Sequence, residues 1–123
     1  MPQPHLERVL VTGATGTLGY NIVRRLGLMH PATSVRVLMR RLDDTLFADL
    51  ANVDLKQVDI ADTTRLMKAV LDFQPTAIIH CAASGVRPSK IGWFDLIRLN
   101  VSAAVALFEA SCEIDRCHFI HIS

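Results

Sequence analysis

The run Arg8-Val9-Leu10-Val11-Thr12 leads straight into Gly13-Ala14-Thr15-Gly16-Thr17-Leu18-Gly19. A short β-branched run of this kind suits a strand buried on both faces. Beyond the glycines, Leu18, Ile22, Val23 and Leu26 recur at helical spacing, which predicts a helix beginning at the turn. A strand that enters a helix through three glycines leaves the backbone few options, because the turn must be tight and the two elements must pack back to back. The spacing is GxxGxxG rather than GxGxxG. Gly13 ends the strand where a Cβ would obstruct the turn, Gly16 lets the backbone approach a ligand, and Gly19 allows the helix to pack closely on the sheet.

The rest of the chain alternates between strand-like and helix-like periodicity. The first helix is expected to end near Gly27 to His30, ahead of Pro31. Ser34 to Arg40 reads as a second strand, Leu46 to Leu50 as a short helical turn, and Leu55 to Asp59 as a third strand. Asp62-Thr63-Thr64 offers a cap to a helix carrying Leu66, Met67, Val70 and Leu71. Thr76 to Cys81 is the most continuous apolar strand and is expected in the middle of the sheet. Ala82 to Lys90 reads as a loop, Ile91 to Glu113 as a long helix interrupted only by Gly92, and His118 to Ser123 as a fifth strand. This alternation predicts an α/β fold, a Rossmann-type doubly wound parallel sheet that stops after its fifth strand. Right-handed crossovers favour the strand order 3-2-1-4-5. The glycines then fall at the point where strand order reverses, the crevice in which open α/β sheets bind ligands.

Composition narrows the partners. The chain has 123 residues, half of them hydrophobic, enough for one core and too few for two. A net charge of +1 gives no ground for nucleic acid as a partner. Apolar runs such as Ala77-Ile78-Ile79 are too short to span a membrane. Met1-Pro2-Gln3-Pro4-His5 lacks the basic and apolar regions of a signal peptide. Cys81, Cys112 and Cys117 form neither an even set nor a CxxC pair, and are expected as buried free thiols in a reducing cytosol. His118 and His121 lack acidic or cysteine partners at ligand spacing, so no metal site is expected. The expectation is a single cytoplasmic domain.

The glycine turn carries the chemistry. The unpaired N–H groups of Thr17 and Leu18 at the start of a helix, aided by the helix dipole, are suited to a pyrophosphate. Gly13, Thr15, Gly16, Thr17, Leu18 and Gly19 together form a candidate cradle for a dinucleotide. The alternative is a glycine-rich turn that serves only helix–sheet packing.

Val11-Thr12-Gly13-Ala14-Thr15-Gly16-Thr17-Leu18-Gly19 resembles the TGAxGxxG signature of the extended short-chain dehydrogenase/reductase superfamily, and within it the NAD-dependent epimerase/dehydratase group. Further landmarks follow in order along nearly the whole chain. The second strand ends Val37-Leu38-Met39-Arg40-Arg41, where NAD-selective members place an acid for the ribose 2′-hydroxyl. Met39 cannot serve, whereas Arg40 and Arg41 suit a 2′-phosphate, which implies NADP with NAD as the second choice. The alternatives are a pair of solvated surface arginines, or Asp43 and Asp44 as ribose acceptors lying beyond the strand. Val58-Asp59-Ile60 resembles the family element in which a carboxylate accepts from the adenine amino group and an apolar side chain covers the ring. Asp59 could instead cap the next helix, although Asp62 is better placed.

Ile78-Ile79-His80-Cys81-Ala82-Ala83 is similar to the VIHLAA strand, whose small residues let the backbone of Cys81, Ala82 and Ala83 lie against the cofactor. The resemblance makes His80 a structural residue. Leu99-Asn100-Val101 matches the xNV element, which implies that Asn100 lies close to the nicotinamide ribose. Phe119-Ile120-His121-Ile122-Ser123 resembles the strand leading into the serine segment. In relatives the long helix joins a four-helix dimer interface, and Trp93, Phe94, Leu96, Ile97, Val101, Val105, Leu107 and Phe108 spread over more than one face of it. That implies a homodimer contact through residues 91–113.

The family's chemistry uses a Tyr-x-x-x-Lys pair aided by Ser or Thr. The one tyrosine of this chain, Tyr20, is followed at that spacing by Arg24, whose guanidinium does not titrate, and it stands beside Gly19 on the first helix. No catalytic residue is therefore assigned. Residues 1–123 are expected to be the NAD(P)-binding domain of a longer oxidoreductase, epimerase or dehydratase, inactive alone and without the substrate lobe. A small-molecule substrate belongs only to the longer parent. The alternative is a non-catalytic NADP-binding redox sensor resembling the NmrA-like regulators.

Overall fold

The computed structural model describes residues 6–81 and 92–122. The elements are β1 (Arg8–Thr12), α1 (Thr17–Met29), β2 (Ser34–Met39), β3 (Val53–Gln57), α2 (Thr63–Phe73), β4 (Ala77–His80), α3 (Trp93–Cys112) and β5 (His118–His121). The five strands form one parallel sheet in the order β3-β2-β1-β4-β5. The expected order therefore holds, with β1 at the centre, where Leu10 stands opposite Arg36 of β2 on one side and Ile78 of β4 on the other.

Alternation along the strands builds two cores. Leu10, Leu38 and Ile78 face α2 and α3, where they meet Leu66, Val70, Ala103, Ala106, Leu107 and Ala110. Val9, Val11, Val35, Val37 and Met39 face the other way, toward Val23 and Leu26 of α1. Both faces of β1 are covered, which is why its apolar run is unbroken. The alanines of α3 keep that helix close to α2 and the sheet. The edge strands carry exposed polar residues instead, Asp54, Lys56 and Gln57 on β3 and His118 on β5.

Several boundaries differ from the sequence reading. Leu46 to Leu50 forms consecutive turns rather than a helical turn, since Phe47 adopts a left-handed backbone (φ 61°). Phe47 and Leu50 are nevertheless buried, and they complete the core beside α1. The third strand runs Val53–Gln57, two residues earlier than expected. Its start is set by Asn52, whose Nδ2 donates to the carbonyls of His30 (3.0 Å) and Thr33 (2.8 Å) and whose own carbonyl accepts from Val35. Gly92 is the residue before α3 and its carbonyl accepts from Leu96, so it starts the helix instead of interrupting it. Ala82 to Lys90 and Ile91 lie outside the described residues.

The three thiols are free, but none is buried: Cys112 is exposed at the end of α3, and Cys81 and Cys117 are half-buried beside chain ends of β4 and β5. Burial still raises the Cys81 and Cys117 thiols above their ordinary range. Asp62 caps α2 as expected, its carboxylate accepting from the Arg65 N–H at 3.1 Å. Among the described residues no helix is long and apolar enough to cross a membrane.

Leu107 is fully buried between α2, α3 and the sheet, whereas Val105 of the same helix stands 47% exposed. Leu107→Ala is expected to cost about 2–5 kcal/mol in urea unfolding, and Val105→Ala no more than about 0.5 kcal/mol.

Candidate functional site

The carboxyl ends of β3, β2, β1 and β4 lie side by side, because the strands are parallel and in register. Most of the residues singled out from the sequence gather there. At the centre, Gly13 follows β1 with φ at 75°, a conformation that side chains disfavour. The turn closes with the Gly16 N–H donating to the Gly13 carbonyl at 3.1 Å, and α1 begins at Thr17.

The third glycine is the most tightly constrained. A Cβ on Gly19 would stand 2.2 Å from the Gly13 carbonyl oxygen and 2.7 Å from its carbon. The first turn of α1 thus rests on the backbone of the glycine turn itself, which refines the expectation of packing on the sheet. Gly16 differs, since a Cβ there would meet only the Gly13 oxygen at an ordinary 3.5 Å. Among the described residues, nothing requires glycine at position 16.

The start of α1 is open. Gly16 supplies no side-chain cap, and the first turn contains no acidic residue. The first-turn N–H groups, those of Thr17, Leu18 and Gly19, have no partner within the helix. Thr15, Gly16, Thr17 and Leu18 are all exposed around them. Donors and helix dipole together favour an anion at this place.

Next to the turn, β2 ends at Met39, whose side chain is buried and cannot reach a ligand. Arg40 and Arg41 are exposed beyond it, with the Arg40 carbonyl accepting from Gln57 Nε2 at 3.2 Å. Asp43 is already engaged: its carboxylate accepts from the Thr45 N–H (3.0 Å) and hydroxyl (2.5 Å), bonds that hold it below its ordinary range. Asp44 is exposed.

On the far side of β2, Asp59 lies two residues past the end of β3 and is exposed. One of its oxygens accepts from the Ala61 N–H at 2.9 Å, so it shapes its own turn and does not cap α2. Ile60 is half-buried against the core under α2. Cys81 follows β4, and its N–H donates to the Thr12 carbonyl at 3.1 Å, which keeps this backbone alongside β1. Asn100 is half-buried in the first half of α3. Ala82 and Ala83 lie outside the described residues.

Beneath the turn lies a polar pair that sequence reasoning missed. Thr12 Oγ1 and His80 Nδ1 are 2.6 Å apart, both fully buried, and the His80 ring stacks on exposed His121 with centroids 5.2 Å apart. Burial first, and the His121 charge second, push His80 down to about 4, so its imidazole is neutral at pH 7. The only local signal was two polar residues at the ends of apolar strands; their pairing depends on the register of β1 with β4. Tyr20 is placed away from any catalytic role, its ring packed on Phe47 at 5.2 Å. Among the described residues no group of His, Cys, Asp and Glu could hold a metal ion.

Residues 9–123 match the NAD dependent epimerase/dehydratase family. The chain belongs to this family. It is 29% identical over 116 residues to the dTDP-glucose 4,6-dehydratase of Neisseria gonorrhoeae, an alignment spanning 85% of this chain and 32% of the dehydratase. It is 34% identical over 136 residues to the polyketide synthase GfsB of Streptomyces halstedii, across 94% of this chain but 2% of the synthase. The fold matches that of the Bordetella bronchiseptica enzyme WbmG, solved in complex with NAD, with a TM-score of 0.75 at 21% identity over 96% of this chain and 38% of that one. The chain therefore spans about a third or less of the length of these curated relatives. Membership of the family supports a nicotinamide dinucleotide as the ligand, and the residues present fit one: an exposed glycine, Gly16, at an uncapped helix start with no acidic residue in its first turn.

Gly19→Ala must displace backbone, and is expected to lower unfolding stability by about 1–3 kcal/mol, while Gly16→Ala changes it by less than about 0.5 kcal/mol. The His80 proton gives a pH signature. The unfolded chain binds it near pH 6.5 and the folded chain only near 4. Stability is thus fully kept above pH 6.5 and is lost progressively as pH falls toward 4. His80→Asn should flatten that part of the stability–pH curve measured by denaturant unfolding.

Proposed function

We propose that the protein is an oxidoreductase, epimerase or dehydratase acting by hydride transfer on a carbonyl, hydroxyl or nucleotide-sugar substrate, that this chain is its cofactor-binding part, and that NADP is preferred over NAD. The observation that carries the cofactor preference is the end of β2. Met39 turns inward, Asp43 is bonded to Thr45 through one oxygen, and Arg40 and Arg41 are the exposed residues that directly follow β2. Two guanidiniums at this position favour a phosphate over a ribose hydroxyl, because a charge-assisted fork matches the phosphate oxygens.

In this reading the first-turn amides of α1, with Thr15 and Gly16, hold the pyrophosphate. The free oxygen of Asp59 accepts from the adenine amino group and Ile60 covers the ring. The backbone of Cys81 borders the pyrophosphate and ribose, and Asn100 lies toward the nicotinamide ribose. When bound, the nicotinamide accepts or donates a hydride. The chain's own residues bind and orient the dinucleotide. Neither His80, buried and neutral, nor Tyr20, packed on Phe47, is suited to exchange a proton with substrate. That task falls to a Tyr-x-x-x-Lys pair, which the reading places beyond Ser123. The exposed outer face of α3, with Trp93, Phe94, Ile97, Val101 and Phe108, supports a contact with a second subunit.

Arg40→Ala is expected to weaken NADP binding by about 1–3 kcal/mol in calorimetry and to leave NAD binding almost unchanged. Equal losses for the two would refute the 2′-phosphate assignment. Tight NADP binding by the full protein, with no turnover of any carbonyl or sugar, would favour a redox-sensing module instead of an enzyme.

A further inference from the structure

The crossover from β2 to β3, residues 40–52, holds no regular element, yet it is fastened firmly to α1. Leu46 N–H donates to the Asp43 carbonyl (3.1 Å), Leu50 N–H to the Phe47 carbonyl (2.9 Å) and Val53 N–H to the Leu50 carbonyl (3.2 Å), so consecutive turns link the arginines to β3. Two contacts then bind these turns to the cofactor helix. The Phe47 ring lies 5.2 Å from the Tyr20 ring, one residue past Gly19. One helical turn on, Arg24 Nη1 donates to Asp49 Oδ1 at 2.6 Å. A third contact seats Leu50 against Gly27, where a Cβ would come within 2.5 Å of Leu50 Cδ1.

These contacts are more specific than packing demands. Phe47 holds a left-handed backbone (φ 61°), which a bulky residue adopts only when its surroundings over-determine it. Its ring, buried beside Tyr20, supplies that determination. Asp49 is 60% exposed, so its ion pair is too solvated to matter much for global stability. What the pair does fix is direction: it aligns the crossover with the same helix whose first turn stands over the glycines. Arg40 and Arg41 lie between two anchors, the buried end of β2 at Met39 and this clasp.

We propose that the Tyr20–Phe47 and Arg24–Asp49 contacts form a clasp that positions the Arg40–Asp44 turn relative to the start of α1, and thereby sets the discrimination between dinucleotides with and without a 2′-phosphate. Phe47 and Asp49 are positioning residues that act through Arg40 and Arg41. The inference rests on the 2′-phosphate reading of Arg40 given above. A dinucleotide lacking that phosphate takes no hold on the arginines, so loosening the clasp touches NADP alone.

The test is the NADP+ and NAD+ affinity of the purified protein and its variants, measured by calorimetry with thermal unfolding as the control for folding. Asp49→Asn is the decisive variant, because removing a negative charge near a phosphate should by long-range electrostatics strengthen NADP+ binding. The clasp instead requires NADP+ affinity to fall roughly three- to tenfold with NAD+ affinity unchanged. Arg24→Asp/Asp49→Arg, which restores the pair in reverse, should recover NADP+ affinity. Phe47→Gly, which tolerates the backbone but removes the ring, should reproduce the selective loss. Unchanged or increased NADP+ affinity in Asp49→Asn, or equal losses for both dinucleotides, overturns the clasp. Arg40→Ala separates the two levels: if it spares the NADP+ to NAD+ ratio, the 2′-phosphate reading fails, whereas a loss there without one in Asp49→Asn defeats the clasp alone.

Discussion

The Gly13 carbonyl touches the first turn of α1 more closely than any side chain at position 19 would permit. That single approach fixes where the helix begins relative to the central strand. Since β1 is bonded on both sides, to β2 and β4, the position of its last residue is determined by the whole sheet. The helix start inherits that rigidity. Its first-turn amides stand in a fixed place without a capping side chain, and Arg40, Asp59 and Cys81 follow β2, β3 and β4 at the same edge of the sheet.

Several polar groups at the carboxyl edge are held by bonds within the protein. Thr12 and His80 join the ends of β1 and β4 by a buried hydrogen bond, and the depressed basicity of His80 keeps that bond neutral through the physiological range. Asp43 and Asp59 each spend an oxygen on their own turn, with Thr45 and Ala61 as donors. Asp43 takes both donors of Thr45 on one oxygen, and Asp59 takes the Ala61 N–H on one of its own.

Most of the fold was legible because both-face burial writes apolar runs into β1 and β4, and because glycine and aspartate mark where α1 and α2 begin. The less legible parts share a cause. Phe47 and Leu50 are spaced like one helical turn, but the spacing reflects two plugs beside α1, the first of them with a left-handed backbone that no local pattern announces. The limits of β3 depend on Asn52 reaching across to His30 and Thr33, a tertiary event. The cysteines look like core residues by type, yet Cys112 falls on the outer side of α3. Within the candidate site, the glycines and arginines stood out in the sequence by chemistry. The Thr12–His80 pair and the Tyr20–Phe47 contact did not, since each joins residues distant in the chain.

The central claim is that a dinucleotide lies along the carboxyl edge with its pyrophosphate on the start of α1. Amide-resolved nuclear magnetic resonance during titration with NADP+ tests it most directly. The expected result is that the largest shifts fall on Thr15 to Gly19, with further shifts at Arg40 and Arg41 and little change along α2. Binding that leaves the Thr15 to Gly19 amides unmoved, or that shifts the α2 start instead, would contradict it.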